Sequence, residues 1–582
     1  MKSFLSKYAL WLVLLATALV YLPSLRFDFL HGDEYFHLLN NADLLTGNLQ
    51  GMLTKEYIGM YQPLTSLYYW VLYNAYGLNP LAYHAANLLL HLLNIALVFW
   101  LVFRVSGRRL TAFVTAALFA LQPANTESIV WVSAASNLLS SAFLLGSLLM
   151  YWQAKNRRQI FLSFFLAIVA MLCKPSAIIL PLLMLLFDYL KNKKITARDI
   201  WSKLSLWLMA IAMGLATIYA RQHDGHFVGT IAAYSLIEQL AVYLFSYFYY
   251  FYNAILPLGL APSYLYPAKL NGQLPWFYYA GALASLTGVI IIIVKKYYKT
   301  YWPLIAWFLL NLVLVVRLKP IGKQVIANRY TYLAGLAVYF LLSLLFVHFY
   351  KQIKWRRAAI TALIGYLLLL GAISLFYSRN WQDDYSLATA SLVENVNNPE
   401  AGYIYDNRGS VLLKQGLVKE AMADFSRAIA LNPQLSESYN NIGIITADYQ
   451  HDPGHSIVYF DSAIRLQPGR TDYLYNRGSA LAANRQWALA LADFDQAINN
   501  LPSVPPEYRH NRGNVRLSMG DFQGAVDDFS QVLRVHPNAL TYLQRGQAYW
   551  EQHLKAAACA DWTEASQLNL QAATAKLAQY CH

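Results

Sequence analysis

Long apolar runs recur along the first 377 residues of this 582-residue chain and then stop. The hydrocarbon core of a bilayer is about 30 Å thick, so a helix that crosses it needs about 20 mostly apolar residues. Eleven runs are predicted to cross, at residues 8–25, 82–103, 110–122, 129–153, 159–173, 176–190, 204–220, 275–294, 301–317, 331–350 and 358–377. The sequence therefore predicts an all-α, polytopic membrane domain of about eleven spans over residues 1–377.

Two apolar segments need separate interpretation. The first run follows Lys2 and Lys7, as a signal peptide would, but it is long and is predicted to be a membrane helix. Residues 234–256 carry Glu238 and a dense run of aromatic residues. Counting this segment as a span would invert the charge of the loops that follow, so it is predicted to be an interfacial or re-entrant helix.

The charge of the chain is divided between its two parts. Residues 1–377 hold 29 Lys and Arg residues against 10 Asp and Glu, whereas residues 378–582 hold 16 against 21. Basic residues that are confined to the membrane part are typical of cytoplasmic loops, which retain positive charge. This distribution argues against a nucleic-acid partner and indicates a membrane topology.

That topology places the end of the chain outside the cytoplasm. Eleven spans that start inside put most Lys and Arg residues in cytoplasmic loops and eight of the ten acidic residues on the other side. No Asn-x-Ser/Thr acceptor site occurs, which favours a bacterial chain. We therefore expect an integral protein of the bacterial inner membrane whose C-terminal part is periplasmic.

The C-terminal part contains five copies of one pattern, spaced by 33 to 35 residues. Each copy has a glycine, then an aromatic residue, then a small residue, and the first four copies end in proline. The glycines are Gly409, Gly443, Gly478, Gly513 and Gly546, and the aromatic residues are Phe425, Phe460, Phe494, Phe529 and Trp562. This spacing predicts an α-solenoid of five tetratricopeptide repeats over residues 401–582, preceded by a stem at 378–400.

The inner face of such a solenoid usually binds an extended peptide or protein segment. An asparagine lies two residues before the glycine in four repeats, at Asn407, Asn441, Asn476 and Asn511. Because each amide offers a donor and an acceptor, the four could hold the main chain of an acceptor peptide. The alternative, which the sequence leaves open, is that these amides bond to neighbouring helices.

The three cysteines cannot form a disulfide framework. Cys173 lies at the end of a membrane helix, whereas Cys559 and Cys581 both lie in the last repeat. A single pairing of Cys559 with Cys581 is therefore open.

The first external loop holds two adjacent carboxylates, Asp33 and Glu34. Apolar surroundings raise the pKa of a carboxylate and strengthen its pull on a hydroxyl proton, so the pair could supply a general base or ligate a divalent cation. Spacing alone favours a solvated loop face, and only the resemblance described below changes that interpretation.

Several motifs lie in the membrane part and the stem, in chain order at 61–65 (Tyr-Gln-Pro-Leu-Thr), 77–91, 122–128, 173–175 (Cys-Lys-Pro) with 186–189, 327–333 and 379–381. Together they resemble the motifs of the transmembrane-and-tetratricopeptide O-mannosyltransferases and their bacterial relatives. The resemblance implies a glycosyltransferase of the GT-C class, which takes a sugar from a polyprenyl-phosphate donor outside the cytoplasm. It also implies that Asp33 or Glu34 is the base for the acceptor hydroxyl and that Glu127 completes an acidic pocket.

The resemblance further implies a site for the lipid phosphate at Arg329 and Tyr330, extended by Lys319 and Lys323. The residues alone give a second reason, since Arg317, Lys319, Lys323 and Arg329 form a basic cluster on the side where positive charge is sparse. A local breach of the charge rule beside a buried ion pair is the alternative.

Some positions depart from the motifs of that family. Gln122 and Asn125 stand where the family has histidines, Gln62 replaces an arginine, and residues 134–137 lack the usual charges. Three functions are therefore compared: a sugar transferase that acts on protein hydroxyls, a transferase that acts on cell-surface glycan or lipid, and a membrane-anchored scaffold. Convergence of Asp33, Glu34, Glu127 and Arg329 in one pocket would favour an enzyme.

Overall fold

A computed structural model of the chain describes residues 2–57, 59–223, 234–269, 272–316 and 323–581. The chain divides into two compact units, Met1–Asn398 and Pro399–His582. The predicted stem thus folds with the first unit as far as Asn398.

The first unit is built almost entirely of helices. They are α1 Lys2–Tyr21, α2 Ala42–Thr46, α3 Leu49–Thr54, α4 Pro63–Tyr76, α5 Pro80–Ser106, α6 Arg109–Leu121, α7 Thr126–Val130, α8 Ala135–Gln153, α9 Arg157–Cys173, α10 Leu180–Asn192, α11 Ala197–Trp201, α12 Leu204–His223, α13 Leu236–Ile255, α14 Trp276–Val294, α15 Tyr298–Leu312, α16 Thr331–Ala334, α17 Leu336–Lys351, α18 Arg356–Ser378 and α19 Asp384–Val393. Short 3-10 turns lie at Leu22–Arg26, Pro123–Asn125, Val132–Ala134, Pro175–Ile179, Asn328–Tyr330 and Arg379–Trp381, and a π-helical turn at Tyr35–Leu39. Two short strands, β1 Tyr264–Leu265 and β2 Gln324–Ile326, pair antiparallel with Tyr264 opposite Ile326.

The apolar runs that the sequence predicts to cross the membrane are helical over most of their described residues. Among the described residues, seven helices are long and apolar enough to cross a bilayer, or eight if the pair Asn328–Ala334 and Leu336–Lys351, bent by 57°, is one span. The remaining predicted spans correspond to the shorter helices α6, α9 and α15. Several membrane helices are therefore confirmed, whereas the number eleven stays a prediction.

Helix α5 shows how the sequence sets one of these elements. The side chain of Asn79 caps its start by accepting from the Leu81 N–H, Pro80 occupies its first position, and Gly107 ends it with φ at +68°. A buried polar stripe, made of His84, Asn87, His91 and Asn94, runs along the helix at a spacing of three to four residues. Buried polar groups need partners, and His91 and Asn94 both bond to the Tyr332 hydroxyl, at 2.8 and 3.1 Å, so part of this stripe joins α5 to α16.

Loops predicted for one side of the membrane contact each other. At the predicted cytoplasmic end, the Trp152 indole donates to the Arg104 carbonyl at 2.9 Å, and Asp188 pairs with Lys203 at 2.5 Å. At the other end, the first loop contacts the segment after α18, because the Asp28 N–H donates to the Gln382 carbonyl at 3.1 Å. The predicted alternation of sides is consistent with these contacts.

The second unit is a stack of helical hairpins. Its helices are α20 Gly402–Lys414, α21 Val418–Leu431, α22 Ser436–Ile444, α23 Pro453–Leu466, α24 Thr471–Ala483, α25 Trp487–Asn499, α26 Pro506–Met519, α27 Phe522–Val535, α28 Ala539–Glu551, α29 Lys555–Gln567 and α30 Gln571–Tyr580, with a π-helical turn at Ile445–Tyr449. Each repeat glycine faces the aromatic residue of its own repeat: a Cβ built on Gly443 would lie 2.6 Å from Cε1 of Phe460. This packing confirms the predicted role of glycine in letting the two helices approach.

Ion pairs inside the repeats reinforce that packing. In four repeats an arginine beside the glycine makes two parallel bonds to an aspartate beside the aromatic residue, as in Arg477 to Asp493 at 2.8 and 2.7 Å. The other three pairs are Arg408–Asp424, Arg512–Asp528 and Arg545–Asp561. The second repeat has Ile442 and Tyr459 at these positions. Beyond the last hairpin, a disulfide joins Cys559 of α29 to Cys581 at the end of α30, which confirms that pairing.

Candidate active site

The first loop is fixed to the bundle by Glu34. Its side chain is buried, and its two carboxylate oxygens accept the N–H groups of Leu30 at 2.6 Å and Val132 at 3.0 Å. Burial raises the pKa of Glu34 to about 8, although these N–H groups act in the opposite direction. The geometry therefore assigns Glu34 to holding the loop against the Val132–Ala134 turn.

Asp33, the preceding residue, is half-buried and lies within the field of the Arg329 guanidinium and the Glu127 carboxylate. Burial raises the pKa of Asp33, the charge of Glu127 acts in the same direction, and the charge of Arg329 acts against both. A carboxylate with a raised pKa that keeps access to solvent has the properties of a general base.

Glu127 and Arg329 form a buried ion pair although they are far apart in sequence. Nη1 of Arg329 donates to one oxygen of Glu127, and the backbone N–H of Arg329 donates to the other at 3.0 Å. The guanidinium carbon lies 5.3 Å from the centre of the Trp131 ring and 5.1 Å from that of Tyr330. Because Glu127 is fully buried, this pair joins α7 to the Asn328–Tyr330 turn inside the protein.

The backbone around Arg329 is held by its neighbours. The amide of Asn328 donates to the Ala261 carbonyl and the Tyr377 hydroxyl, both at 2.9 Å, and the Ala327 N–H donates to the Tyr250 hydroxyl at 3.2 Å. Helix α13, which contributes Tyr250, is the segment predicted to be interfacial or re-entrant. Its packing against this turn gives it a structural part in the site.

A cavity of about 50 Å³ lies beside the ion pair. Its polar lining comes from α8, the Cys173–Ile179 segment, α15 and the Asn328–Tyr330 turn, and consists of Asn137, Ser140, Ser141, Lys174, Ser176, Asn311, Arg329, Tyr330 and Tyr332. Nζ of Lys174 donates to Oδ1 of Asn137. Burial and the nearby Arg329 charge lower the pKa of Lys174 to about 7, while Glu127 acts in the opposite direction.

Arg329 and Tyr330 thus line this cavity, and Glu127 pairs with Arg329. The charges of Glu127 and Arg329 reach Asp33, whose loop is held by Glu34. Lys319 and Arg317 lie outside the described residues. Lys323 lies outside the lining of the cavity, and its carbonyl accepts the Tyr266 N–H at 3.1 Å. Functional roles for all of these residues stay predictions.

Sequence reasoning missed Lys174, Asn137 and Trp131 as members of this site. Lys174 carried a usable signal, since it is a lone lysine between two apolar helices, inside the Cys-Lys-Pro motif, on the side predicted to be poor in positive charge. Asn137 and Trp131 carried no such signal in the sequence, because their positions depend on how the segment between α7 and α8 folds.

The departures from the family motifs have structural explanations. The amide of Gln122 donates to the carbonyls of Asn253 at 3.1 Å and Ala254 at 2.8 Å, so it joins α6 to α13. Asn125 donates to the Phe119 carbonyl at 2.9 Å. Both side chains serve packing between elements in this chain.

Three of the four repeat asparagines bond to the preceding repeat. Asn476 donates to Oδ1 of Asn440 at 2.8 Å, Asn511 to the Tyr475 hydroxyl at 2.9 Å, and Asn441 to the Ser410 hydroxyl at 3.4 Å. Asn407, in the first repeat, is exposed. The alternative in which these amides stabilise the stack therefore accounts for their N–H groups, and acceptor binding stays a prediction.

Among the described residues, no group of three or more His, Cys, Asp and Glu side chains could hold a metal ion. A divalent cation in the reaction therefore stays a prediction to which no residue is assigned.

Comparison with known proteins gives the same two parts. Tetratricopeptide repeat models match residues 403–435, 445–505 and 510–575. A protein O-mannosyl-transferase of Caenorhabditis elegans is 24% identical over 458 residues, which is 73% of this chain and 63% of that protein. The resemblance to O-mannosyltransferases that was found in the motifs is therefore confirmed.

Shorter matches are closer in sequence. Protein O-mannosyl-transferase Tmtc1 of Drosophila melanogaster is 31% identical over 29% of this chain and 21% of its own length, and human TMTC4 is 33% identical over 25% and 22%. The chain thus spans less than two thirds of the length of each of these relatives. Among solved structures, a crystal structure of YrrB, titled a TPR protein with an unusual peptide-binding site, is 21% identical over 31% of this chain and 91% of that one, with a TM-score of 0.29.

Proposed function

We propose that the chain is a glycosyltransferase that moves a sugar from a polyprenyl-phosphate donor to a hydroxyl group of a protein on the extracytoplasmic side of the membrane. The observation that carries this proposal is the convergence of Asp33 with the buried Glu127–Arg329 pair beside a polar cavity. The names of the relatives favour mannose as the sugar.

In this proposal Asp33 removes the proton of the acceptor hydroxyl. The oxygen forms a bond to the anomeric carbon while the bond from that carbon to the phosphate oxygen breaks, and the polyprenyl phosphate leaves. A single displacement inverts the configuration at the anomeric carbon. The negative charge that grows on the leaving phosphate requires a cationic partner, and Arg329 and Lys174 line the nearby cavity.

The location outside the cytoplasm is part of the proposal. Disulfides persist in oxidising compartments, so the pairing of Cys559 with Cys581 supports it, as does the charge of the loops. The repeats would present the acceptor chain.

The sequence is also compatible with a membrane-anchored scaffold and with a transferase that acts on surface glycan or lipid. A scaffold without catalysis would not need Asp33 to lie near the Glu127–Arg329 pair, so this arrangement favours an enzyme. A transferase that modifies surface glycan or lipid would use the same site, and it differs from the proposal in the acceptor alone.

Intact-mass spectrometry of periplasmic proteins from cells with and without the chain tests the proposal. We expect proteins that gain the mass of one or more sugars when the wild-type chain is present and that lose it with Asp33→Asn. Unchanged protein masses alongside altered surface glycan would contradict the protein acceptor and favour the glycan alternative.

A further inference from the structure

Charge is unevenly compensated around the cavity between α8, α15 and the Asn328–Tyr330 turn. Arg329 donates to Glu127 through both its guanidinium and its backbone N–H, and its charge also acts on Asp33. Two carboxylates therefore share one guanidinium. The positive charge of Arg329 is already balanced before any ligand arrives.

Lys174 is in a different situation, although it lines the same cavity. The hydrogen bond of its Nζ goes to the neutral amide of Asn137. A half-buried lysine whose described partner is an uncharged amide is costly to keep charged, and such groups are usually associated with function. Of the two cations that line the cavity, Lys174 is therefore the one that makes no direct bond to a carboxylate among the described residues.

The rest of the lining suits an anion. Ser141 and Ser176 contribute hydroxyl groups, Asn311 contributes an amide, and Tyr330 contributes a phenol to the lining of this cavity. Hydroxyl and amide N–H groups that surround a lysine can donate to phosphate oxygens from several directions.

We propose that this cavity is the subsite for the phosphate of the lipid donor, with Lys174 as the residue that binds its charge and Arg329 as a positioning residue. The inference rests on the proposed function and makes it more specific. The Nζ group would contact the phosphate oxygens and stabilise the charge that grows on them as the anomeric bond breaks. Arg329, fixed by Glu127, would set the shape of the turn that closes the cavity.

The proposal predicts a characteristic pH dependence. The charged groups whose fields reach Lys174 are Arg329 and Glu127, and the phenols of Tyr330 and Tyr332 line the same cavity. Because the pKa of Lys174 is lowered to about 7, the empty site carries the charge below that pH and loses it above. Binding of an anion whose own charge is constant should therefore weaken as the pH rises through 7 and beyond.

The experiment uses the full-length chain in detergent or nanodiscs and measures binding of the methyl diester of a polyprenyl phosphate. This probe carries one negative charge that stays constant between pH 6 and 9, and it contains no sugar. The uncharged polyprenol is the comparison. We expect Lys174→Met to weaken binding of the diester about ten- to hundredfold, as loss of a charge-assisted hydrogen bond does, and to leave polyprenol binding unchanged.

Two further variants separate electrostatics from folding. Lys174→Arg keeps a charge at every pH used, so its binding should lose the decline above pH 7 even if its affinity is lower. Lys55→Met removes a lysine from the first loop, where it pairs with Asp43 at 2.7 Å, and should leave diester binding unchanged.

Two outcomes would overturn the assignment of Lys174 as the phosphate ligand, and a third would overturn the proposed use of a polyprenyl-phosphate donor. Equal diester affinity of Lys174→Met and wild type, or a pH profile of Lys174→Arg identical to that of wild type, rejects Lys174 as the phosphate ligand. If the wild-type chain binds the diester no better than polyprenol, the proposed donor class itself is wrong.

Discussion

Two neighbouring carboxylates can have different roles because their surroundings differ, and Asp33 and Glu34 show this at the scale of single residues. Glu34 is buried and uses both oxygens to accept backbone N–H groups, whereas Asp33 is half-buried beside Glu127 and Arg329. A base must receive a proton, and an oxygen that already accepts a structural hydrogen bond is poorly placed for it. The geometry therefore favours Asp33.

We expect Asp33→Asn to reduce transfer roughly hundredfold or more without lowering thermal stability, since loss of a general base has this effect. Glu34→Gln should instead lower stability by about 1–3 kcal/mol, because its amide N–H₂ group would face an N–H donor inside the protein. Sugar transfer and thermal unfolding, measured on both variants, distinguish the roles. Full activity of Asp33→Asn together with inactive but stable Glu34→Gln would move the base by one residue.

The buried pair Glu127–Arg329 should behave as a unit. Removing one partner leaves an uncompensated buried charge, so we expect Glu127→Ala to cost about 3–5 kcal/mol of unfolding free energy. The double variant Glu127→Ala/Arg329→Ala should cost clearly less than the sum of the two single variants. Additive losses in thermal or denaturant unfolding would mean that the two side chains do not interact in solution.

Part of this site was accessible from the sequence and part was not. Asp33, Glu127 and Arg329 could be identified because each lies in a motif on the side of the bundle where positive charge is sparse. Their pairing could not, since nothing in the spacing shows that residues 127 and 329 meet. Lys174 could have been suspected as a lone cation, but its neutral partner, Asn137, becomes visible only when α8 and α9 are packed together.

At the scale of elements, the repeats were the most predictable part of the chain. A strict period fixes two helices, their crossing point and the residue that must be small, so the glycine and its aromatic partner could be named in advance. The asparagines two positions earlier were less predictable, because an amide that faces the inner surface can also reach the preceding repeat. Asn476 and Asn511 make that contact.

The membrane helices were predictable in place but not in form. Hydropathy located all of them, yet it did not reveal that the run at 331–350 bends by 57° between α16 and α17. Gly335 lies at this bend, where a Cβ would meet the Tyr339 hydroxyl at 2.5 Å. A side chain at this position would therefore be crowded, and the apolar content of the run does not reveal that.

The repeat glycines give a prediction at the same scale. A Cβ on Gly443 would lie 2.6 Å from the ring of Phe460, so we expect Gly443→Ala to destabilise the array by about 1–3 kcal/mol through overpacking. Gly469, in the turn between α23 and α24, has no atom within 4 Å of such a Cβ and has no positive φ. Gly469→Ala is therefore the matched control and should unfold like the wild type. Equal midpoints for the two variants in thermal unfolding of the full chain would contradict this packing argument.

The whole molecule combines a basic membrane unit with a mildly acidic repeat unit. Composition alone predicted this division, because the two solvents select different residues. The first compact unit ends at Asn398, so most of the predicted stem belongs to the membrane unit. There, Asp384 of α19 accepts the His31 N–H at 2.8 Å, and the start of α19 is thereby attached to the loop that carries Asp33.

The side of the membrane on which the repeats lie is the last prediction. Eleven spans that start inside satisfy the positive loops, and a disulfide such as that between Cys559 and Cys581 is typical of an oxidising compartment. A reporter that is active only in the cytoplasm should therefore be silent when fused after His582, and one that needs the periplasm should be active. As a control, the same reporters fused after Lys194, in a loop predicted to be cytoplasmic, should give the reverse pattern. Cytoplasmic activity after His582 together with that reverse pattern after Lys194 would require one span more or fewer between the two points, and would place the repeats opposite the proposed site.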